Sequence, residues 1–274
     1  MRMVVVGLGL LVSACAASPA PAPPQSGKIV SIDYCADQML LKLVERNRIA
    51  AVSSEVELDR NFAAPRAVGL PRVRPNIEEI LALRPAVVVK SYGGGPSLDA
   101  QLSRAGVRLV QLDYAASLAD IPGNIRSAAK KLGAESAGEQ TIADFNAQIA
   151  AAKTRANASA PTLLYLTPGG VTTGPGSLID DIIRAGGYTN FDAAPGWHSL
   201  PLERLAKQQP DAVLAAFFDN KAHDQDAWSS ARHPLVAQAL QGKPQLNVPG
   251  SAVSCGNWLV GDVVARLAAM RSGA

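Results

Sequence analysis

The residues able to do chemistry in this chain are few and far apart. There are three cysteines, at 15, 35 and 255, and three histidines, at 198, 223 and 233. A bare zinc or manganese site needs several imidazole or carboxylate ligands at one point, and these histidines are too few and too scattered to supply it. His223 and His233 lie around an exposed-looking polar stretch, 219–230, of surface-loop character. No Gly-x-Ser-x-Gly elbow presents a serine nucleophile, and the glycines of 169–176 lack the lysine of a phosphate loop. Cys35 with His198 is the one enzymatic alternative, because a helix N-terminus lowers a thiol pKa. Haem ligation through Tyr34, Tyr92 or His198 is a further alternative, without diagnostic spacing. What remains is aromatic and charged side chains at the ends of apolar runs, the chemistry of holding a ligand.

The elements that must position them are announced by a repeat. Residues 76–89 read Asn-Ile-Glu-Glu-Ile-Leu-Ala-Leu-Arg-Pro-Ala-Val-Val-Val, and residues 201–214 read Pro-Leu-Glu-Arg-Leu-Ala-Lys-Gln-Gln-Pro-Asp-Ala-Val-Leu. Aligning Pro85 with Pro210 places Glu78 on Glu203, Ile80 on Leu205 and Val87 on Ala212. Each copy predicts a short amphipathic helix, stopped by a proline, that feeds an apolar strand. A helix feeding a buried strand is half of a βαβ unit, so two copies predict two α/β lobes with a cleft between them.

The rest of the chain fits that plan. Strands are expected at 28–32, 48–52, 86–89 and 107–112, alternating with helices at 36–45 and from Ser97 to 105, and 60–74 reads as irregular. Such alternation indicates a parallel sheet covered on both faces. From 117 to about 157 there is no strand signal, and 135–156 predicts a helix longer than a lobe element needs. The second lobe is expected to contain strands at 162–166, 212–217 and 245–248 and helices at 178–185, 235–240 and 259–270. The domain reading is therefore a signal at 1–14, a tether at 15–28, an N-terminal lobe at 29–116, a connector with the inter-lobe helix at 117–160 and a C-terminal lobe at 161–274.

The first residues read as an export signal: Arg2, then an apolar run from Val4 to Val12, too short for a membrane helix of about 20 residues. Leu11-Val-Ser-Ala-Cys15 resembles a bacterial lipobox, which implies lipidation of Cys15; cleavage at the Ala14-Cys15-Ala16 pattern is the competing route. Ala16 to Lys28, rich in Ala, Pro and Ser, is a flexible tether. A formal charge of +3, dispersed and without a basic run, argues against nucleic acid as a partner.

The ordered set Lys28-Ile-Val-Ser-Ile, Asn76-Ile-Glu-Glu-Ile-Leu-Ala-Leu-Arg-Pro, Gly186-Gly187 and Trp197-His-Ser-Leu-Pro-Leu-Glu203 resembles the substrate-binding proteins of bacterial ABC importers for metal chelates. These serve cobalamin and ferric siderophores. The resemblance implies a periplasmic receptor rather than an enzyme, with a metal chelate as ligand, no resident cofactor, and an inner-membrane ABC permease dimer as partner. It implies two Rossmann-like lobes joined by one rigid helix, with Glu78 and Glu203 docking into permease arginines. It also implies that Trp197 packs against the ligand, as a tryptophan does against the corrin ring in the cobalamin branch.

With the ligand between lobes, residues after strand ends line its site. These are Asp33, Tyr34, Cys35, Tyr92 and Tyr114 in the first lobe, and Trp197, Phe218 and the segment 254–258 with Trp258 in the second. Arg60, Arg72 and Arg74 lie in the loop before the first repeat, where guanidinium groups would suit an anionic siderophore; solvated loop arginines are the plain alternative. Cys35 and Cys255 remain as an even pair in an oxidising compartment. They read first as a disulfide tying the lobes, then as free thiols, then as soft metal ligands.

Overall fold

The computed structural model describes residues 27–153, 160–218 and 229–273. Cys15 and its lipobox, nearly all of the tether, and His223 lie outside the described residues. The N-terminal sheet has five parallel strands in the order β3-β2-β1-β4-β5. They are β1 (Ile29–Ser31), β2 (Ile49–Ser53), β3 (Arg72–Val73), β4 (Val87–Lys90) and β5 (Arg108–Gln111). Helices α1 (Tyr34–Leu43), α2 (Ala63–Arg66), α3 (Ile77–Ala82) and α4 (Gly95–Arg104) connect them. The central strands β1 and β4 are buried along their whole length, as a parallel sheet covered on both faces requires.

Two helices follow, α5 (Asp120–Leu132) and α6 (Glu135–Lys153), split at Gly133, whose φ of 62° closes α5 in the left-handed conformation. Gly138 lets α6 approach α5: a Cβ there would lie 2.4 Å from that of Ala129. The long expected connector is thus α6 alone, at 19 residues, with α5 packed along it as a second helix.

The C-terminal sheet has four parallel strands in the order β11-β10-β6-β8. They are β6 (Thr162–Leu166), β8 (Thr189–Asn190), β10 (Ala212–Ala216) and β11 (Gln245–Val248). Between them come α7 (Leu178–Ala185), α8 (Leu202–Leu205) and α9 (Pro234–Leu240), and the chain ends with α10 (Ser251–Ser254) and α11 (Leu259–Arg271). An unforeseen antiparallel pair, β7 (Val171–Thr173) with β9 (Trp197–Ser199), projects beside this sheet. The loop expected at 60–74 also contains a helical turn and an edge strand, α2 and β3.

The two repeat copies fold as homologous pieces. Helices α3 and α8 begin at the aligned Ile77 and Leu202, and strands β4 and β10 at the aligned Val87 and Ala212. Each strand is internal to its sheet. One apolar core runs through both lobes, joining Ile29, Leu40 and Val89 of the first to Leu163, Leu214 and Val264 of the second through Phe145 of α6. The opposite face of each sheet carries its own smaller cluster. Among the described residues no helix is long and apolar enough to cross a membrane.

Candidate functional site

The lobes meet along a seam at the carboxyl ends of β1 and β11. Cys35, in the first turn of α1, is bonded to Cys255 just after α10, with Cα atoms 5.4 Å apart. Beside this disulfide the Tyr34 hydroxyl and Ser254 Oγ share a hydrogen bond of 2.5 Å. Behind it Gln38 donates to Asp59 (2.8 Å) and to the Ser251 carbonyl (3.1 Å), and accepts from Asn257 Nδ2. Ser251 Oγ donates to Asp59 Oδ1 at 3.2 Å. All four side chains are buried, and a buried network whose members are all satisfied holds one geometry.

Asp33, expected among the ligand residues, is committed to the protein's own backbone. It is wholly buried, where it caps α1 by accepting from Ala36 N (2.8 Å). Its other oxygen accepts from the amides of Ser91 (2.6 Å), Tyr92 (3.1 Å) and Gly93 (3.0 Å). The carboxylate therefore shapes the loop that presents Tyr92, and only glycine fits at 93, where a Cβ would lie 2.9 Å from the Ile32 carbonyl oxygen.

On one side of the seam lies a cavity of about 220 Å³, walled by Tyr114 from the first lobe and by Tyr165, Trp197, Phe217 and Ser254 from the second. Trp197 stands edge-on to the buried Tyr165, ring centroids 6.0 Å apart. Tyr92 stands edge-on to Tyr34 at 5.8 Å. Tyr92, Tyr114, Trp197 and Phe218 are 40–71% exposed and are the only exposed aromatics among the described residues. All four follow strands at the carboxyl edge or lie on β9. Phe217 takes a left-handed φ of 71°, which lays its ring where a Cβ on Gly250 would collide with it at 2.1 Å.

The polar chemistry here is sparse. Burial raises the phenol pKa of Tyr34. Burial, with help from the Glu55 carboxylate that accepts its hydroxyl, raises that of Tyr92. These phenols stay neutral, and both hydroxyls are committed. His198 follows Trp197 on β9, so strand alternation turns it to the opposite face, where Nε2 meets the buried Asp192 at 2.7 Å. The disulfide removes both thiols from chemistry, so the Cys35–His198 enzyme loses its nucleophile. Among the described residues no group of three His, Cys, Asp or Glu could hold a metal ion.

Several residues expected at the ligand site do not line the aromatic cavity. Trp258 is buried against Phe62, centroids 5.4 Å apart, because α11 starts there and turns the ring into the contact between lobes. Arg74 is bound to Glu79 at the start of α3. Arg72 braces its own loop through Glu57 and the Ala67 and Leu70 carbonyls. Arg60 is exposed. Tyr165 and Phe217 were not anticipated: the first reads as strand core, and only its place beside the β7–β9 pair brings it to the cavity.

Glu78 and Glu203 occupy the first turns of α3 and α8. Both are exposed. A helix feeding a parallel strand runs back along the sheet, so both first turns point toward the carboxyl edge where the cavity lies.

A family profile described as periplasmic binding protein matches residues 29–238. No curated protein sequence matches the chain. Among solved structures, the periplasmic heme-binding protein RhuT from Roseiflexus sp. RS-1 in apo form superposes with a TM-score of 0.71 at 24% identity, covering 89% of this chain and 97% of that one. The heme-binding protein HutB of Vibrio cholerae gives 0.74 at 19% identity, with 89% and 98% covered. The vitamin B12 binding protein BtuF of Vibrio cholerae gives 0.63 at 18% identity, with 89% and 96% covered. At these identities the likeness is one of fold.

Proposed function

The chain belongs to the periplasmic binding protein family, and from that premise we propose that it is the receptor of an ABC importer for a metal chelate, a corrin, a porphyrin or a ferric siderophore. The observation that carries the reading is the pair of exposed aromatics, Tyr114 of the first lobe and Trp197 of the second, that wall one inter-lobe cavity. Aromatic faces suit a large flat ligand, each worth about 0.5–1.5 kcal/mol beyond its buried area. The likeness to the heme-binding proteins RhuT and HutB and to the vitamin B12 binding protein BtuF supports the same class.

In this reading Trp197 and Tyr114 stack on the ligand from opposite lobes, and Tyr92 and Phe218 extend the platform. Glu78 and Glu203, exposed one per lobe, dock a two-fold permease. Cys15 carries the lipid anchor, and the tether holds the body at the membrane. No bond is made or broken.

The test is a thermal-shift and fluorescence titration of the purified chain with haem, cobalamin, ferric siderophores and simple metal ions. One chelate stabilises the chain by about 2.7 kcal/mol at a hundredfold excess over its dissociation constant, and Trp197→Ala weakens it about tenfold or more. No stabilisation by any chelate, before and after reduction of the disulfide, would sink the reading.

A further inference from the structure

Across the seam from the aromatic cavity lies a larger crevice of about 520 Å³, within the roughly 300–1,000 Å³ range of small-molecule sites. Helix α10 is the partition. Ser251 and Ala252 face the crevice, and Val253 and Ser254 face the aromatic cavity. The crevice is walled by both lobes, with Phe62, just before α2, and Arg66 of α2 on one side and Leu259, Asp262 and Arg266 from α11 on the other. We propose that it is a second binding site, for a small carboxylate with an apolar body, filled independently of the aromatic cavity.

The class follows from which polar groups are already committed. Asp59 lines the crevice, but its carboxylate accepts from Gln38 (2.8 Å), Phe62 N (3.1 Å) and Ser251 (3.2 Å); its charge is consumed inside the wall. Arg66 lies over the Phe62 ring, 3.9 Å from its centroid, and gives one N–H to the Phe62 carbonyl at 3.0 Å. Arg266 gives one N–H to the Asn247 carbonyl at 3.2 Å and stands 3.8 Å from Asp262, beyond hydrogen-bond reach. A guanidinium has five N–H donors, so both arginines keep most of theirs. The Asp262 carboxylate offsets one of the two positive charges, but the two planar guanidinium forks still leave more open donors than acceptors, which suits a carboxylate. Phe62, Pro249 and Leu259 supply the apolar surface for the ligand's body. Contact with both lobes makes such a ligand a clamp on the seam.

Calorimetric titration of the full chain with sodium hexanoate tests this, with inorganic phosphate as the second arm. Saturable hexanoate binding is expected, unchanged by Trp197→Ala and by the presence of a saturating chelate. The pair Arg66→Gln with Arg266→Gln weakens it at least about tenfold. Ala252→Leu, which fills the crevice without touching charge, does the same and carries the test if the double variant fails to fold. Absence of hexanoate binding overturns the site, as does unchanged affinity in the folded variants. Loss on Trp197→Ala places the probe in the aromatic cavity and also overturns it. Phosphate binding as tight as hexanoate refutes the apolar-body assignment. None of these outcomes bears on chelate binding, so the two readings fail separately.

Discussion

The two copies of the repeated segment present the same charge on differently built supports. In the first, the Asn76 side chain caps α3 by accepting from Glu79 N at 2.9 Å, and Glu79 grips Arg74 through its backbone amide and guanidinium. In the second, α8 has four residues and no side-chain cap, and follows Pro201. It leans on its surroundings: Leu205 is buried, and Arg204 lies over the Phe191 ring at 4.6 Å. Only Leu200 to Leu202 separate Glu203 from β9, the strand that bears Trp197. The first glutamate thus stands on a self-supporting turn, and the second on one joined to the cavity wall. Geometry at Glu203 is tied to the cavity wall; geometry at Glu78 is set locally.

The largest effect is expected from reversing both charges. Glu78→Lys with Glu203→Lys should cut chelate uptake about a hundredfold or more, since opposed like charges at an interface cost several kcal/mol, and leave binding within about twofold. Uptake by cells carrying the double variant measures it, and normal uptake removes the docking roles. Each single reversal should weaken uptake less. Chelate binding should alter labels placed beside Glu203 more than labels beside Glu78.

A comparison of buried carboxylates sharpens the contrast between lobes. In the second lobe Asp180 meets Arg184 at 2.8 Å and Asp192 meets His198. In the first, Asp37 accepts only from Ser31 and Ser53, and burial raises its pKa to about 6. Its folded pKa exceeds the unfolded one, so its contribution is complete below about pH 4 and is lost as pH rises through about 6. That amounts to about 3 kcal/mol at roughly 1.4 kcal/mol per unit. Urea midpoints across pH 4–7 should show this fall in the parent and not in Asp37→Asn; equal slopes would show that Asp37 is not its source.

Smaller effects separate the two helices directly. Asn76→Ala should cost about 1 kcal/mol through loss of the cap, whereas Pro201→Ala, which removes no cap, should stay within about 0.5 kcal/mol. Equal losses would show that the two helix starts do not differ in capping. Arg84, which follows the helix of the first copy, has a left-handed φ of 46°, and the aligned Gln209 does not share it. Arg84→Gly should therefore stabilise by a few tenths of a kcal/mol, up to about 1, and Gln209→Gly should not. Chemical denaturation of both variants checks the sign.

Much of this molecule was legible in the sequence because it is local. The proline-stopped helices, the apolar strands after them and the helix of 135–153 follow from periodicity within a dozen residues. The cavity was legible only in outline. Position after a strand end can be read along the chain, but burial among such residues is a three-dimensional outcome. Asp33 and Trp258 follow the same positional rule as Tyr92 and Trp197, yet they point inward, one to orphan amides and the other to Phe62. The β7–β9 pair escaped notice because three-residue strands in a glycine-rich stretch carry almost no period.

The sequence by itself determined the family, the two-lobed parallel architecture and one glutamate per lobe, since each rests on short-range pattern repeated in order. The tertiary structure decided which aromatics share a cavity, that Cys35 and Cys255 are bonded, and that α10 divides the inter-lobe groove in two. Those outcomes depend on residues some 220 positions apart meeting at one seam. Spacing along a chain does not encode such a meeting; the packing of one core against both sheets does.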